Sequence, residues 1–167
     1  STRIAPWAVL SSILFSARKG LVVNYLLIGL FGAVGALLRA LLGLACDGAP
    51  FPVDTLLVNV VGCFALELVY NYLGRRVHLS KDLVSAMGTG LLGAFTTMSA
   101  FSYQTVAYLQ EGAALAAFTY AALTIALCLA ATAAGHLTAL RIARRRLARR
   151  KAAIARRRTK AQAGDAR

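Results

Sequence analysis

Polar residues recur every four positions along one apolar stretch: Tyr120, Thr124, Cys128, Thr132 and His136 stand out from a run of Ala and Leu. On an α-helix each such step climbs about 6 Å and rotates about 40°, so the five form one slowly winding polar stripe. Hydroxyls can bond back to the preceding helical turn, but a stripe this long on one face favours a track for an ion or for water. A second concentration spans Gly88 to Ser102. It contains Gly88, Gly90 and Gly93 together with the hydroxyls of Thr89, Thr96, Thr97, Ser99 and Ser102. Packing of small residues accounts for Gly90 and Ala94 but not for the crowd of hydroxyls. A helix broken at membrane midplane would free carbonyl oxygens, and such carbonyls coordinate a cation or line a cavity. Asn59, in Leu57-Val58-Asn59-Val60, is the third polar group at depth, and by itself it reads as an interhelical hydrogen bond.

These side chains are mostly donors. A small, strongly hydrated anion must exchange its water shell for donors of the Ser, Thr, Tyr and Asn type. The positive edge of an aromatic ring assists, with Phe95 and Phe101 as candidates. No carboxylate lies near mid-span, because Glu67 falls toward one end of the second apolar run. That argues against an exporter that trades protons for cationic drugs. Cys46, Cys63 and Cys128 show no metal-like spacing, and His78 and His136 are far apart. No nucleophile–base pair can be assembled, so the chain does not read as an enzyme.

The elements that must position these groups follow from hydropathy. The 167 residues are 59% hydrophobic and carry a formal net charge of +13, with a mean hydropathy of +0.66. The charges are segregated. A bilayer core of about 30 Å takes about 20 apolar residues per helix, and Leu21–Leu42, Thr55–Leu73, Leu83–Leu109 and Ala113–Leu140 meet that length. Their connections are Gly43–Asp54, Gly74–Asp82 and Gln110–Gly112. No segment alternates as a lipid-facing barrel strand would. The reading is an all-α membrane protein: an N-terminal cytoplasmic or interfacial extension (1–20), a four-helix domain (21–140) and a basic cytoplasmic tail (141–167).

Arg3, Arg18, Lys19, Arg75, Arg76, Lys81 and the whole basic tail fall on one side, whereas the opposite loops carry only Asp47, Asp54 and Glu111. The positive-inside rule therefore places both termini in the cytoplasm of a multi-pass protein of the cell membrane. The apolar segment Ile4–Phe15 is short and interrupted, and reads as interfacial, with Trp7 at the headgroups. Clusters such as Arg144-Arg145-Arg146 and Arg156-Arg157-Arg158 are read as anchors on anionic lipid rather than as nucleic-acid contacts.

Three stretches resemble the Fluc/CrcB fluoride channel family. They are Gly32-Ala33-Val34-Gly35-Ala36-Leu37-Leu38-Arg39, Asp54-Thr55-Leu56-Leu57-Val58-Asn59-Val60-Val61-Gly62-Cys63-Phe64, and Gly93-Ala94-Phe95-Thr96-Thr97-Met98-Ser99-Ala100-Phe101-Ser102. The resemblance covers the four spans in order. It implies an antiparallel dimer with two fluoride pores and a structural, untransported Na+ at its centre. It also implies that the carbonyls of Gly93 and Thr96 hold the sodium. Asn59 and Phe101 would line a pore beside Ser99 and Ser102, with Tyr120, Thr124 and Cys128 on a polar track. Met98 occupies a pore position where the family usually has Phe, Gln104 stands where a Glu is frequent, and Cys128 replaces a customary hydroxyl. Arg39 matches the arginine of the family's first helix.

An antiparallel homodimer requires one sequence to insert both ways, and so a weak Lys/Arg bias. Here the bias is one-sided, which favours pairing with an oppositely oriented paralogue over a homodimer. A small drug exporter and a non-transporting scaffold are the competing readings; the first lacks its embedded acid, and the second leaves the polar stripe unexplained.

Overall fold

The computed structural model describes residues 6–46, 51–75, 77 and 79–165. Asp47, Arg76, His78 and the placement of the Trp7 side chain lie outside the described residues. All described regular structure is helical. Four helical stretches are long and apolar enough to cross a membrane: Val22–Ala45, Val53–Gly74, Lys81–Gln110 and Ala114–Ile154.

The first span belongs to a 40-residue helix α1, Pro6–Ala45, which starts with Pro at a position where the missing N–H costs nothing. Helix α2, Val53–Leu68, runs on into a π-helical turn, Val69–Gly74. The third span is composite. Ser80 Oγ accepts from Leu83 N at 3.2 Å and starts α3, Lys81–Ser85. A π-helical stretch, Ala86–Leu92, and the short α4, Gly93–Phe95, follow. Thr96 and Thr97 are extended, and helix resumes as α5, Met98–Gln110. Gly112 then turns the chain with φ 73°. Gly112 N donates to Leu109 O at 3.1 Å and Ala113 N to Tyr108 O at 2.9 Å, a Schellman closure that needs a residue tolerant of the left-handed region. The last helix, α6, runs 52 residues from Ala114 to Asp165.

That last helix differs from the expected boundary at Leu140. The composition changes there but the helix does not, because Ala, Arg and Lys are all strong helix formers. At about 1.5 Å per residue, α6 outruns a bilayer core and carries the basic segment as its own continuation.

Packing is pairwise. Span one lies on the π-helical stretch and α4, while α2 lies on α6. The first contact is backbone on backbone: a Cβ at Gly90 would come 2.5 Å from Ile28 O, and one at Gly35 would collide with the Leu91 carbonyl. In lipid, where apolar burial gives helices little reason to associate, such close approach supplies the attraction. Val58, Ala86, Ala117 and Tyr120 are fully buried, whereas Leu26, Leu30, Tyr103 and Leu115 face outward. That outward apolar surface is what hydrocarbon, or another helix, can cover.

Candidate functional site

The extended residues Thr96 and Thr97 organise the site. Thr96 has φ −77° and ψ 158°, and Thr97 φ −146° and ψ 117°, so the helical ladder stops between them. Asn59 of α2 closes the gap. Its Nδ2 donates to Thr97 O at 3.0 Å, and its Oδ1 accepts from Thr97 N at 2.8 Å. One primary amide thus satisfies both backbone groups of one residue. Thr97 Oγ1 in turn caps α5, accepting from Ala100 N at 3.1 Å, with Ser99 Oγ at 3.2 Å. Thr96 turns back instead, its hydroxyl donating to Leu92 O at 2.9 Å.

The diversion has a consequence for carbonyls. The amides of Thr97 and Ala100 are the ones that Gly93 O and Thr96 O would accept in an unbroken helix. Both are spoken for, by Asn59 Oδ1 and Thr97 Oγ1. The two carbonyls singled out in the sequence are released from the helical ladder together.

A groove of about 430 Å³ runs beside the break, between α2, the third span and α6. Asn59, Gly93, Thr96, Met98, Phe101, Thr124 and Cys128 all line it, joined by Cys63. Thr124 is 5% exposed, and its Oγ1 has no hydrogen-bond partner. Ser99 and Ser102 lie on the exposed side of α5 and are not part of this lining. Tyr120 sits behind the groove, fully buried. Its hydroxyl donates to Gln104 Oε1 at 2.8 Å, and Gln104 Nε2 donates to Thr55 Oγ1 at 3.0 Å. Its ring lies edge-on to Phe51 and tilted against Phe101, each with centroids 5.4 Å apart.

The winding stripe is therefore divided. Tyr120 serves a buried network, Thr124 and Cys128 face the groove, Thr132 turns outward, and His136, half exposed, reaches Glu67 of α2. Thr132 Oγ1 bonds back to Cys128 O at 2.9 Å. The face that stays packed passes instead through Gly135 and Ala139, which matches the slow rotation of a four-residue repeat.

The family described as CrcB-like protein, Camphor Resistance (CrcB), matches residues 26–136. The protein named Fluoride-specific ion channel FluC 2 from Listeria innocua is 42% identical over 96 residues, covering 58% of this chain and 74% of its own length. Fluoride-specific ion channel FluC from Shewanella baltica is 44% identical over 109 residues, covering 64% of this chain and 87% of its own length. The chain belongs to the CrcB family. The family is one of ion channels and not of enzymes, and this CrcB member is a multi-pass membrane protein.

Two polar sites of this CrcB chain were not singled out from sequence. One is a pocket of about 250 Å³ formed by Arg39, Asp54, Thr55, Thr97 and Gln104, which places Arg39 beside the Thr97 break. The other lies at the far end of α2. Glu67 Oε1 accepts from Asn71 Nδ2 and meets His136 Nδ1 at 2.7 Å. Glu67 is thereby engaged between α2 and α6, away from the groove lining. Only spatial neighbours separated by 69 positions reveal that pair.

Proposed function

We propose that this chain is a fluoride-specific channel subunit that lets cytoplasmic fluoride leave the cell down its electrochemical gradient and so limits fluoride toxicity. The observation that carries this reading is the unpartnered Thr124 hydroxyl, buried in the wall of a groove that Phe101 and Asn59 also line. A buried hydroxyl without a partner costs about 1–3 kcal/mol. It is tolerated where a transient anion accepts its proton. Asn59 retains one amide N–H after holding Thr97, and the Phe101 ring offers a positive edge. The donors are neutral and sparse. They suit an ion that must bind well enough to enter and weakly enough to leave.

The freed carbonyls of Gly93 and Thr96 fit a hard cation, since oxygen donors without a helical amide are what such an ion takes. In the proposed assembly they would hold a structural Na+ that is not transported. When bound, that ion would neutralise carbonyl dipoles at the break. The chain's own task is to keep those carbonyls free, through Asn59 and the Thr97 cap. An antiparallel dimer would supply the second set and cover the open side of the groove, where Met98 is 72% exposed. The segregated Lys and Arg favour an oppositely oriented paralogue as that partner, with both termini of this chain cytoplasmic and the basic segment of α6 against anionic lipid.

Fluoride efflux from liposomes tests the reading, comparing this chain alone and with an oppositely oriented paralogue. Fluoride-selective flux with chloride excluded is the expected result. Absence of fluoride flux in both preparations, with folded protein, would return the chain to a scaffold role.

A further inference from the structure

Two cysteines line the groove from helices that pack together. Cys63 lies one turn beyond Asn59 on α2, and Cys128 one turn beyond Thr124 on α6. Both are free and part-exposed, both line the groove, and the helices that carry them pack against each other. Met98 lines the same groove and adds a thioether at its open side. All three are soft donors, and the two thiols come from helices packed against each other.

We propose that Cys63 and Cys128 form a two-thiol site for a soft, two-coordinate cation of the Cu(I), Ag(I) or Hg(II) class, and that its occupancy ties α2 to α6 and closes the groove. Harder ions are poorly served. Zinc and calcium sites need more ligands than two, and no group of three His, Cys, Asp or Glu side chains exists among the described residues. A soft ion with a linear preference needs only a facing thiolate pair. The step is simple substitution: two S–H bonds break, two S–metal bonds form, and two protons leave to solvent with no change of oxidation state. Cys46, at the distant end of α1, takes no part.

The binding arm uses the purified full chain carrying Cys46→Ser, with Hg2+ as the probe. One ion retained per chain after desalting is expected, with release of two protons and joint protection of both thiols from maleimide. Cys63→Ala and Cys128→Ser, made separately, should each release a single proton on binding and give the ion up to a competing monothiol that the intact pair resists. Two ions per chain, or equal resistance to that competitor in either variant, would overturn the site. The flux arm rests on the fluoride reading and uses whichever assembly conducts. Hg2+ should bring fluoride efflux down to the leak of empty liposomes, reversibly with dithiothreitol, and should take less from Cys63→Ala, measured against that variant's own metal-free rate. Bound ion with unimpaired efflux would overturn the placement of the pair on the path. Absence of efflux before any metal is added would count against the channel reading and leave the binding arm to decide the site.

Discussion

Thr124 and Asn59 are both polar groups at membrane depth, and they do opposite things. Thr124 keeps its hydroxyl free, so replacing it removes a donor without breaking a bond. Thr124→Val should leave thermal stability unchanged or raise it by up to about 1 kcal/mol, because an unsatisfied hydroxyl gives way to a methyl of similar shape. Fluoride efflux should nevertheless fall about tenfold, which corresponds to the loss of one donor to an ion at about 1.4 kcal/mol. Parallel melting and efflux measurements separate the two effects, and a loss of stability with unchanged efflux would make Thr124 a packing residue. Asn59 gives the reverse pattern. Asn59→Leu removes both bonds to Thr97 and should cost about 2–4 kcal/mol by orphaning a backbone N–H and C=O. Asn59→Asp keeps the acceptor for Thr97 N, loses the donor to Thr97 O, and sets a negative charge beside the anion path. Partial retention of stability with complete loss of efflux is expected for it.

At the scale of elements, the third span depends on span one coming close enough to pack against it. Gly35 and Gly90 each face a carbonyl of the opposite element, so neither approach admits even a methyl group. Gly90→Ala should destabilise the fold by about 1–3 kcal/mol through overpacking, read as a lower midpoint in detergent melts. The same change at Gly29, which has open space around its Cα, serves as the control and should be neutral. The helical spans were legible in the sequence because length and hydropathy alone decide them; observed and expected limits differ by three residues or fewer at the first three spans. The course of α6 was not. Hydropathy marks where a helix should leave lipid, whereas helix propensity decides where it ends. Site residues divided along similar lines. The four-residue period brings Thr124 and Cys128 to the groove and His136 to Glu67, but it leaves Thr132 exposed. Nothing local to Tyr120 says that its hydroxyl answers to Gln104 rather than to a pore. That assignment depends on a residue 16 positions away and on the turn at Gly112 that folds α5 back onto α6.

For the whole molecule, the deciding quantity is which way the chain inserts. Four spans return both ends to one side, and the basic end of α6 is held against the end of span two, where Arg146 lies 5.1 Å above the Tyr72 ring. A stacked guanidinium of this kind contributes about 0.5–1 kcal/mol when exposed. The loops on the other side carry no Lys or Arg, and orientation is set by that asymmetry rather than by net charge. If pairing is antiparallel, a chain fixed in one orientation cannot pair with itself. A reporter fused after Arg167 should therefore read only cytoplasmic, and the chain reconstituted from a single-orientation membrane should conduct only with an inverted partner. Neutralising Arg75, Arg76 and Lys81, removing the residues after Leu140 and adding arginines to the Gly43–Asp54 loop should split the reporter between the two sides. The variant should then gain fluoride efflux on its own, because both orientations now exist in one membrane. Strong efflux from unaltered chains that all share one orientation would show that pairing does not need inversion, and would remove the paralogue from the assembly.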